Sequence, residues 1–391
     1  ELLGAVDRVY ASGQVLDGNF TEEFERQIAL RCGRKYAVSV NSCTQGLIFA
    51  QQLLFAENTK ILIPTVSFVA TINSVLINGN EPVLCDVDNQ ALIDLESMDY
   101  ALKGAGVGGI MYANLFGNTV DYDRFKLLTE FFNSDIKIIE DAAQSFGASY
   151  RGQPSGSLGT VSVLSFDPTK NLNNYGSGGM VLVDNLADAK LLRDLRDNGK
   201  ALDHENPGTN SKMSESDCAQ MLIKLKYFNQ WQARRQEIAN YYNDTLKLYV
   251  DVPLTTSGTV HAWSKYVINC NDRSALRLHL SRAGIESKVH YDRPLYEYAV
   301  GYPYINYASE LYRQASAFCS ECLSLPIYPG LKKEEIDFIS AHGTATNYND
   351  EMEANAFTLA GLQQVPLNSM KAVYGHTLGA AGIIESVLSI R

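Results

Sequence analysis

The chain has 391 residues, 46% of them hydrophobic and 20% charged, with 29 glycines and 11 prolines. That length leaves room for about two domains, and an ordinary composition of this kind excludes a fibrous repeat or long disorder. A formal net charge of −11 argues against nucleic acid or an anionic membrane as main partner, since both call for a basic footprint.

Short runs dense in Val, Ile and Leu alternate with helical patterns from the start of the chain. Residues 36–40, 60–64, 82–86, 109–112 and 136–141 read as strands buried on both faces, as a parallel sheet requires. Between them 44–55, 66–78 and 122–133 read as helices. Such alternation predicts an α/β layered domain with a mostly parallel sheet. Strands over 160–166 and 179–184 follow, flanking a loop rich in Asn and Gly. From 215 to 248, Met221, Leu222, Leu225 and Phe228 recur at helical spacing. They predict a long helix that carries the chain from a large domain into a smaller one. A strand over 265–270 and several short helices fill the stretch to residue 338.

Seven cysteines, at 32, 43, 85, 218, 270, 319 and 322, show no pairing pattern. Reduced thiols in a cytoplasmic protein are expected. Cys319 and Cys322 have metal-ligand spacing, yet no second pair or nearby His follows. They are expected to be core or helix-face residues and not zinc ligands. No apolar run is long enough to span a membrane, and no charged leader with an apolar core marks a secretion signal. The chain starts at Glu1 without Met and stops inside an apolar-periodic segment, so both ends read as cut.

Functional groups in open α/β sheets collect at the carboxyl ends of strands, and three such ends carry suitable chemistry. The strand ending at Ile139 runs into Glu140-Asp141-Ala142-Ala143-Gln144. An Asp there can cap the next helix, or it can pair with a cationic ring nitrogen, as pyridoxal 5′-phosphate (PLP) requires. Ser165-Phe166-Asp167-Pro168-Thr169-Lys170 follows the next strand. Its lysine is either a solvated loop residue or, beside a cationic ring, a neutral nucleophile. Asn41-Ser42-Cys43-Thr44 stands between a strand and a helix. It offers either a plain cap or a phosphate cradle.

The order and spacing of these groups resemble the sugar-nucleotide aminotransferases of the DegT/StrS type. The resemblance runs over nearly all of residues 5–338. Its motifs include SGQVLDGNFTEEFE at 12–25, NSCTQGL at 41–47, PTVSFVAT at 64–71 and IIEDAAQSFGA at 138–148. SLGTVSVLSFDPTKNL at 157–172, GSGGM at 176–180, RDNG at 196–199 and GTNSKM at 208–213 continue it, with VHY at 289–291 and LSLPIYP at 323–329. The resemblance implies a PLP-dependent transferase fold: a large, mostly parallel sheet domain over 1–229 and a smaller α+β domain over 230–338. It also implies transfer of an amino group, from glutamate by analogy, to a keto-sugar nucleotide. Lys170 then corresponds to the Schiff-base lysine and proton shuttle, Asp141 to the ring-nitrogen partner, and Gln144 to the partner of the ring hydroxyl. Phe68 matches the ring-stacking aromatic, and Thr44 and Ser165 match phosphate ligands. Asn210 matches an Asn that reaches the neighbouring subunit's phosphate, which implies a homodimer with shared sites. Cys43 and Gly46 stand where the family usually has Gly and Ala. Asp167 replaces the usual His or Tyr, and Tyr296 replaces a His in a segment that often touches substrate or the partner subunit. A branch of the family with His in place of the lysine dehydrates, so Lys170 favours transamination.

After residue 338 the text changes. SAHGTAT at 340–346 and KAVYGHTLGAAG at 371–382 resemble the C-terminal part of β-ketoacyl-acyl-carrier-protein synthases, a thiolase-like fold. His342, His376 and Lys371 match that family's site residues. The nucleophilic Cys on an apolar strand-to-helix turn is missing, with Cys43 the one loose candidate. Residues 339–391 are too few to bury a core once cut from their own sheet, so the fragment is expected to be inert. Residues 336–340 begin the last helix in one resemblance and form a strand in the other, a conflict that a consistent sequence would not show. A fusion or a mis-joined frame is the expectation, with an accessory module as the alternative. Condensing activity from the tail and a non-catalytic PLP-binding regulator are the competing functions. Regulators of this fold carry a basic DNA-binding domain, which this acidic chain lacks.

Overall fold

A computed structural model describes residues 1–305 and 309–342. Helices α1 (Leu2–Ser12) and α2 (Asn19–Arg31) precede strand β1 (Tyr36–Val40). Then come α3 (Cys43–Leu54), β2 (Lys60–Pro64), α4 (Ala70–Ile77), β3 (Glu81–Cys85), α5 (Leu95–Gly104), β4 (Gly109–Ala113), α6 (Tyr122–Phe132) and β5 (Lys137–Asp141). The short β6 (Ser149–Tyr150) and β7 (Gln153–Pro154) lead to β8 (Val161–Ser165), β9 (Gly179–Val183), α7 (Leu186–Leu195) and the long α8 (Glu215–Leu246). Beyond them lie β10 (Thr259–Val260), β11 (Tyr266–Asn269), α9 (Arg273–Arg282), α10 (Arg313–Glu321), β12 (Cys322–Leu325) and α11 (Lys333–His342).

The chain divides into two compact units, each assembled from several stretches. Glu1–Gln236, Leu254–Ser264 and Tyr291–Cys319 form the first; Glu237–Pro253, Lys265–His290 and the described residues from Ser320 to His342 form the second. The first unit holds a seven-stranded sheet in the order β1-β9-β8-β5-β4-β2-β3. Pairs β2–β3, β2–β4, β4–β5 and β5–β8 are parallel, and β9 alone runs against its neighbours β1 and β8. Successive strand side chains point to opposite faces, so the apolar runs feed two cores. Val38, Val40, Ile63, Val163 and Val181 pack with Leu47 and Phe49 of α3 and Leu192 of α7. Ala37, Leu164, Met180 and Leu182 pack with Phe24 and Ile28 of α2 and with Met221, Leu225 and Phe228 of α8.

The expected parallel-rich α/β sheet is therefore present. One expected helix, over 66–78, is shortened: α4 begins at Ala70. Residues 65–69 are instead held as a loop, because Thr65 N donates to Cys85 O and Thr65 O accepts from Leu295 N, at 2.8 and 2.7 Å. These are tertiary bonds, which local spacing cannot foresee. The start of α2 is likewise fixed from afar. The buried Glu215 carboxylate accepts from the backbone N–H groups of Gly18, Phe20 and Thr21, at 3.1, 2.5 and 3.1 Å.

In the second unit β11 and β12 pair antiparallel, and α11 contacts α9. Helix α11 crosses residues 336–340, where the synthase-like reading requires a strand. Two local facts favour the helix. Glu335 Oε2 accepts from Lys332 N at 2.9 Å, half of a capping box. Ile336 and Ile339 are both buried, three residues apart on one helix face. Tyr242 Oη also donates to Pro326 O at 2.9 Å, and Tyr241 donates to Asp337. Residues 322–339 are thus committed to the second unit. His342 closes α11, while Lys371 and His376 lie outside the described residues.

Candidate active site

The carboxyl ends of β1, β2, β4, β5 and β8, together with the start of the opposed β9, form one edge of the first unit's sheet. Every strand here is five residues long and ends in polar sequence, so the loops carrying chemistry leave from a common line.

Asp141 ends β5 and is buried. Its Oδ1 accepts from Ala143 N at 3.1 Å and its Oδ2 from Thr71 Oγ1 at 3.2 Å. Burial pushes the Asp141 carboxyl up, opposed by the Ala143 amide, the charge of Lys170 and the Thr71 hydroxyl. A carboxylate in that condition gains from a cationic partner. Lys170 follows β8 in a turn closed by its own N–H on Asp167 O at 2.9 Å. Asp167 Oδ1 accepts from Thr169 N and Thr169 Oγ1, at 3.0 and 2.6 Å. The residue that departs from the family pattern therefore builds the lysine turn as an Asx-turn.

On β1's side Ser42 caps α3, its hydroxyl accepting from Gln45 N at 3.2 Å. This leaves the Thr44 hydroxyl, one residue into the helix, without a hydrogen bond among the described residues. First-turn N–H groups and a spare hydroxyl make an anion cradle. Ser165 ends β8 opposite Gly179, and its Oγ accepts from Asp167 N at 3.3 Å. A Cβ at Gly179 would lie 2.6 Å from Ser42 C and 2.7 Å from Cys43 N, so only glycine lets β9 start against the cradle. Gly46 is similarly required: its Cβ would meet Val163 Cγ1 at 2.6 Å. Burial pushes the Cys43 thiol well above its usual value, reinforced by Asp141 and opposed by Lys170. That suppresses its thiolate.

Phe68 sits in the loop after β2, 56% exposed, its ring 6.3 Å from the Tyr291 ring. Gln144 Oε1 accepts from Phe116 N at 3.1 Å and its Nε2 donates to Tyr291 Oη at 3.0 Å. Tyr291 belongs to the VHY motif but had no expected role. It lies 147 residues from Gln144 in sequence, and only the fold brings the two together. Thr71 was missed for the same reason, although it closes the PTVSFVAT motif. Thr44, Phe68, Asp141, Gln144, Ser165 and Lys170 are thus gathered at one edge. Asn210 is exposed on a different loop, tied to β1's end where Asn41 N donates to Ser211 O at 2.7 Å. Tyr296 turns inward: its hydroxyl bonds Ser316 Oγ at 2.8 Å and its ring lies 5.1 Å from Tyr312. Cys319 and Cys322 are buried in α10 and β12. Among the described residues all seven cysteines are free and no helix is long and apolar enough to cross a membrane.

The fold, with a buried aspartate and a lysine on a pinned turn at one edge of its sheet, is that of a PLP-dependent aminotransferase. The chain belongs to the DegT/DnrJ/EryC1/StrS aminotransferase family, whose model matches residues 1–342. A dTDP-3-amino-3,6-dideoxy-alpha-D-galactopyranose transaminase from Aneurinibacillus thermoaerophilus is 31% identical over 342 residues, 86% of this chain and 93% of that protein. The crystal structure of DesV from S. venezuelae aligns with a TM-score of 0.83 at 30% identity, covering 87% of this chain and 92% of that one. The PLP form of Spr1654 from Streptococcus pneumoniae shares the fold, with a TM-score of 0.81 at 23% identity over 90% and 96% of the two chains. A second model, the beta-ketoacyl synthase C-terminal domain, matches residues 323–391 and overlaps the first over 323–342.

Proposed function

We propose that the chain moves an amino group from an amino acid, glutamate by family analogy, onto a keto-sugar nucleotide. The carrying observation is the buried Asp141 carboxylate, raised by burial and acted on by the Lys170 charge. When bound, PLP supplies an electron sink for carbanion charge. Asp141 would keep a proton on the ring nitrogen, a charge pair that would relieve the desolvation of its own carboxylate. Lys170 Nζ would hold the cofactor through its amine and, when free, would serve as the base that takes the proton from the donor carbon and returns it on the acceptor side. Gln144 Nε2 would donate toward the ring hydroxyl, Phe68 would cover the ring face, and Thr44 and Ser165 would hold the phosphate. Asn210 completes the neighbouring subunit's phosphate site in a cytoplasmic homodimer. Residues 1–229 serve as the cofactor-binding domain and 230–338 as the smaller one. The transaminase name of the Aneurinibacillus relative supports a sugar-nucleotide acceptor.

The test is the absorbance band of lysine-bound PLP in the purified chain, which Lys170→Ala should abolish. A chain that binds no PLP sinks the reading. Condensing activity is disfavoured by the raised Cys43 thiol and by the commitment of residues 322–339 to the second unit. Incubation with an acyl-carrier thioester is expected to leave Cys43 unacylated, and the segment 339–391 is read as inert.

A further inference from the structure

Two bulky aromatic residues of the first unit have left-handed backbone: Phe116 at φ 60°, ψ 1°, and Trp263 at φ 48°. A side chain with a Cβ disfavours this region, and residues are kept there only where surrounding contacts overrule the local preference. Main-chain hydrogen bonds lock the two segments together. Ala262 N donates to Gly117 O at 2.7 Å and Ser264 N to Phe116 O at 2.8 Å. A Cβ on Gly117 would lie 2.7 Å from Trp263 N, so glycine is what lets the strips approach. The turn delivers the Phe116 N–H to Gln144 Oε1 at 3.1 Å. That bond fixes the amide: Oε1 must face Phe116, and Nε2 is left to face Tyr291 Oη.

The same strip also holds the lysine loop. Asn171, next to Lys170, is buried and donates Nδ2 to Ala262 O at 2.7 Å and to Gln232 Oε1 at 3.1 Å. The strip is itself pinned. His261 Nδ1 accepts from Trp263 N at 2.8 Å, the two rings stack at 3.8 Å, and Trp263 Nε1 donates to Gln236 Oε1 at 3.0 Å. Burial pushes the His261 imidazole down to about 3. Its Nδ1 lone pair therefore stays available to the Trp263 amide at neutral pH.

We propose that residues 261–264 form a positioning brace, which holds the Lys170 loop through Asn171 and the Gln144 amide through Phe116 on one strip of backbone. The brace rests on the roles proposed above for Lys170 and Gln144. None of its residues is catalytic; each acts by fixing where a catalytic or cofactor-binding group stands.

The experiment is Asn171→Ala in the full chain, with and without PLP. A loss of the tie should lower kcat about 10²-fold, as for a small displacement of a reacting group, while leaving KM for the amino donor nearly unchanged. The pH midpoint of the lysine–PLP absorbance band should move. Without PLP, deuterium exchange should accelerate in the peptide containing Phe116, which Asn171 reaches through the strip. A folded variant with wild-type exchange, band titration and kcat overturns the brace. His261→Ala repeats the test from the strip itself, and His261→Asn, which keeps an acceptor for the Trp263 amide, should recover part of the loss. If neither Asn171→Ala nor His261→Ala folds, the strip is a folding element and the positioning role is overturned as well. A wild-type chain that binds no PLP would instead sink the reading of the site, and the exchange coupling measured without PLP would still decide the brace.

Discussion

Replacing Glu140 by Gln tests whether the floor under Asp141 is built on a charged acceptor. Glu140 has no exposed surface. Its Oε1 accepts from Asn114 Nδ2 at 2.9 Å, Ser155 Oγ at 2.7 Å and Gly156 N at 3.0 Å. Its Oε2 accepts from Gly156 N at 3.0 Å, Leu158 N at 2.9 Å and Ser162 Oγ at 2.7 Å. A glutamine has the same shape, but one of its ends is an NH2 group. The serine hydroxyls can rotate to accept from it. The fixed donors cannot: Asn114 Nδ2 and Gly156 N on one side, Gly156 N and Leu158 N on the other. Whichever way the amide turns, one buried donor is left unsatisfied, Asn114 Nδ2 or Leu158 N, while Gly156 N keeps the remaining oxygen; the orphaned donor costs about 1–3 kcal/mol. Glu140→Gln should therefore destabilise the cofactor-free chain by about 2 kcal/mol, the middle of that range. Urea unfolding followed by the fluorescence of Trp231 and Trp263, the chain's two tryptophans, measures it within the unit that contains Glu140. A loss below about 1 kcal/mol would refute the claim that the fixed donors depend on a carboxylate. The substitution should also let the Asp141 carboxyl fall, because the charge of Glu140 is one of the causes that raise it.

Three further outcomes are expected. Burial pushes the Asp88 carboxyl from 3.8 up to about 6, opposed by the amides of Leu92 and Gln90, with Asp94 adding to the rise. A carboxyl raised on folding contributes stability below its unfolded value that is lost as pH rises through the folded one, here between 3.8 and about 6. Asp88→Asn keeps an acceptor for both amides and should flatten thermal stability across that window, with a gain above it of about 2 kcal/mol after solvent screening; an unchanged pH profile would contradict the assignment. Gly46→Ala drives a Cβ to 2.6 Å from Val163 Cγ1 and 3.2 Å from Val181 Cγ2, and should cost about 1–3 kcal/mol in chemical unfolding. Val163→Ala in the same chain should restore most of it, and a double variant no better than the single one would show that the cost arises elsewhere. Gly179→Ala pushes on Ser42 and Cys43, so the PLP dissociation constant by fluorescence titration should rise at least about tenfold, whereas unchanged affinity would separate this edge from the phosphate.

Much of the fold was legible because it is written in local patterns. The strands over 36–40 and 60–64 match β1 and β2 residue for residue, since unbroken apolar runs between turn residues admit few other structures. Helix α8 was legible over its length for the same reason, its apolar residues recurring at helical spacing. Helix α4 was overextended because loop 65–69 is held by partners at Cys85 and Leu295. At the site, Asp141 and Lys170 stood out by following strands, yet each by itself admitted a plain reading. The ordered motifs selected between them.

The sequence by itself determined the family, the parallel-rich sheet and the residue types at its carboxyl edge, because short-range apolar period and motif order are properties of neighbouring residues. Only the tertiary structure decided how those residues are held. Gln144 owes its orientation to a left-handed Phe116, Asn171 its place to Ala262, and Asp141 its anchorage to Thr71. It also decided that residues 336–340 are helix, although two sequence resemblances compete for them. Burial against the rest of the second unit rewards the face formed by Ile336 and Ile339, and a linear pattern cannot register that reward until the chain has folded.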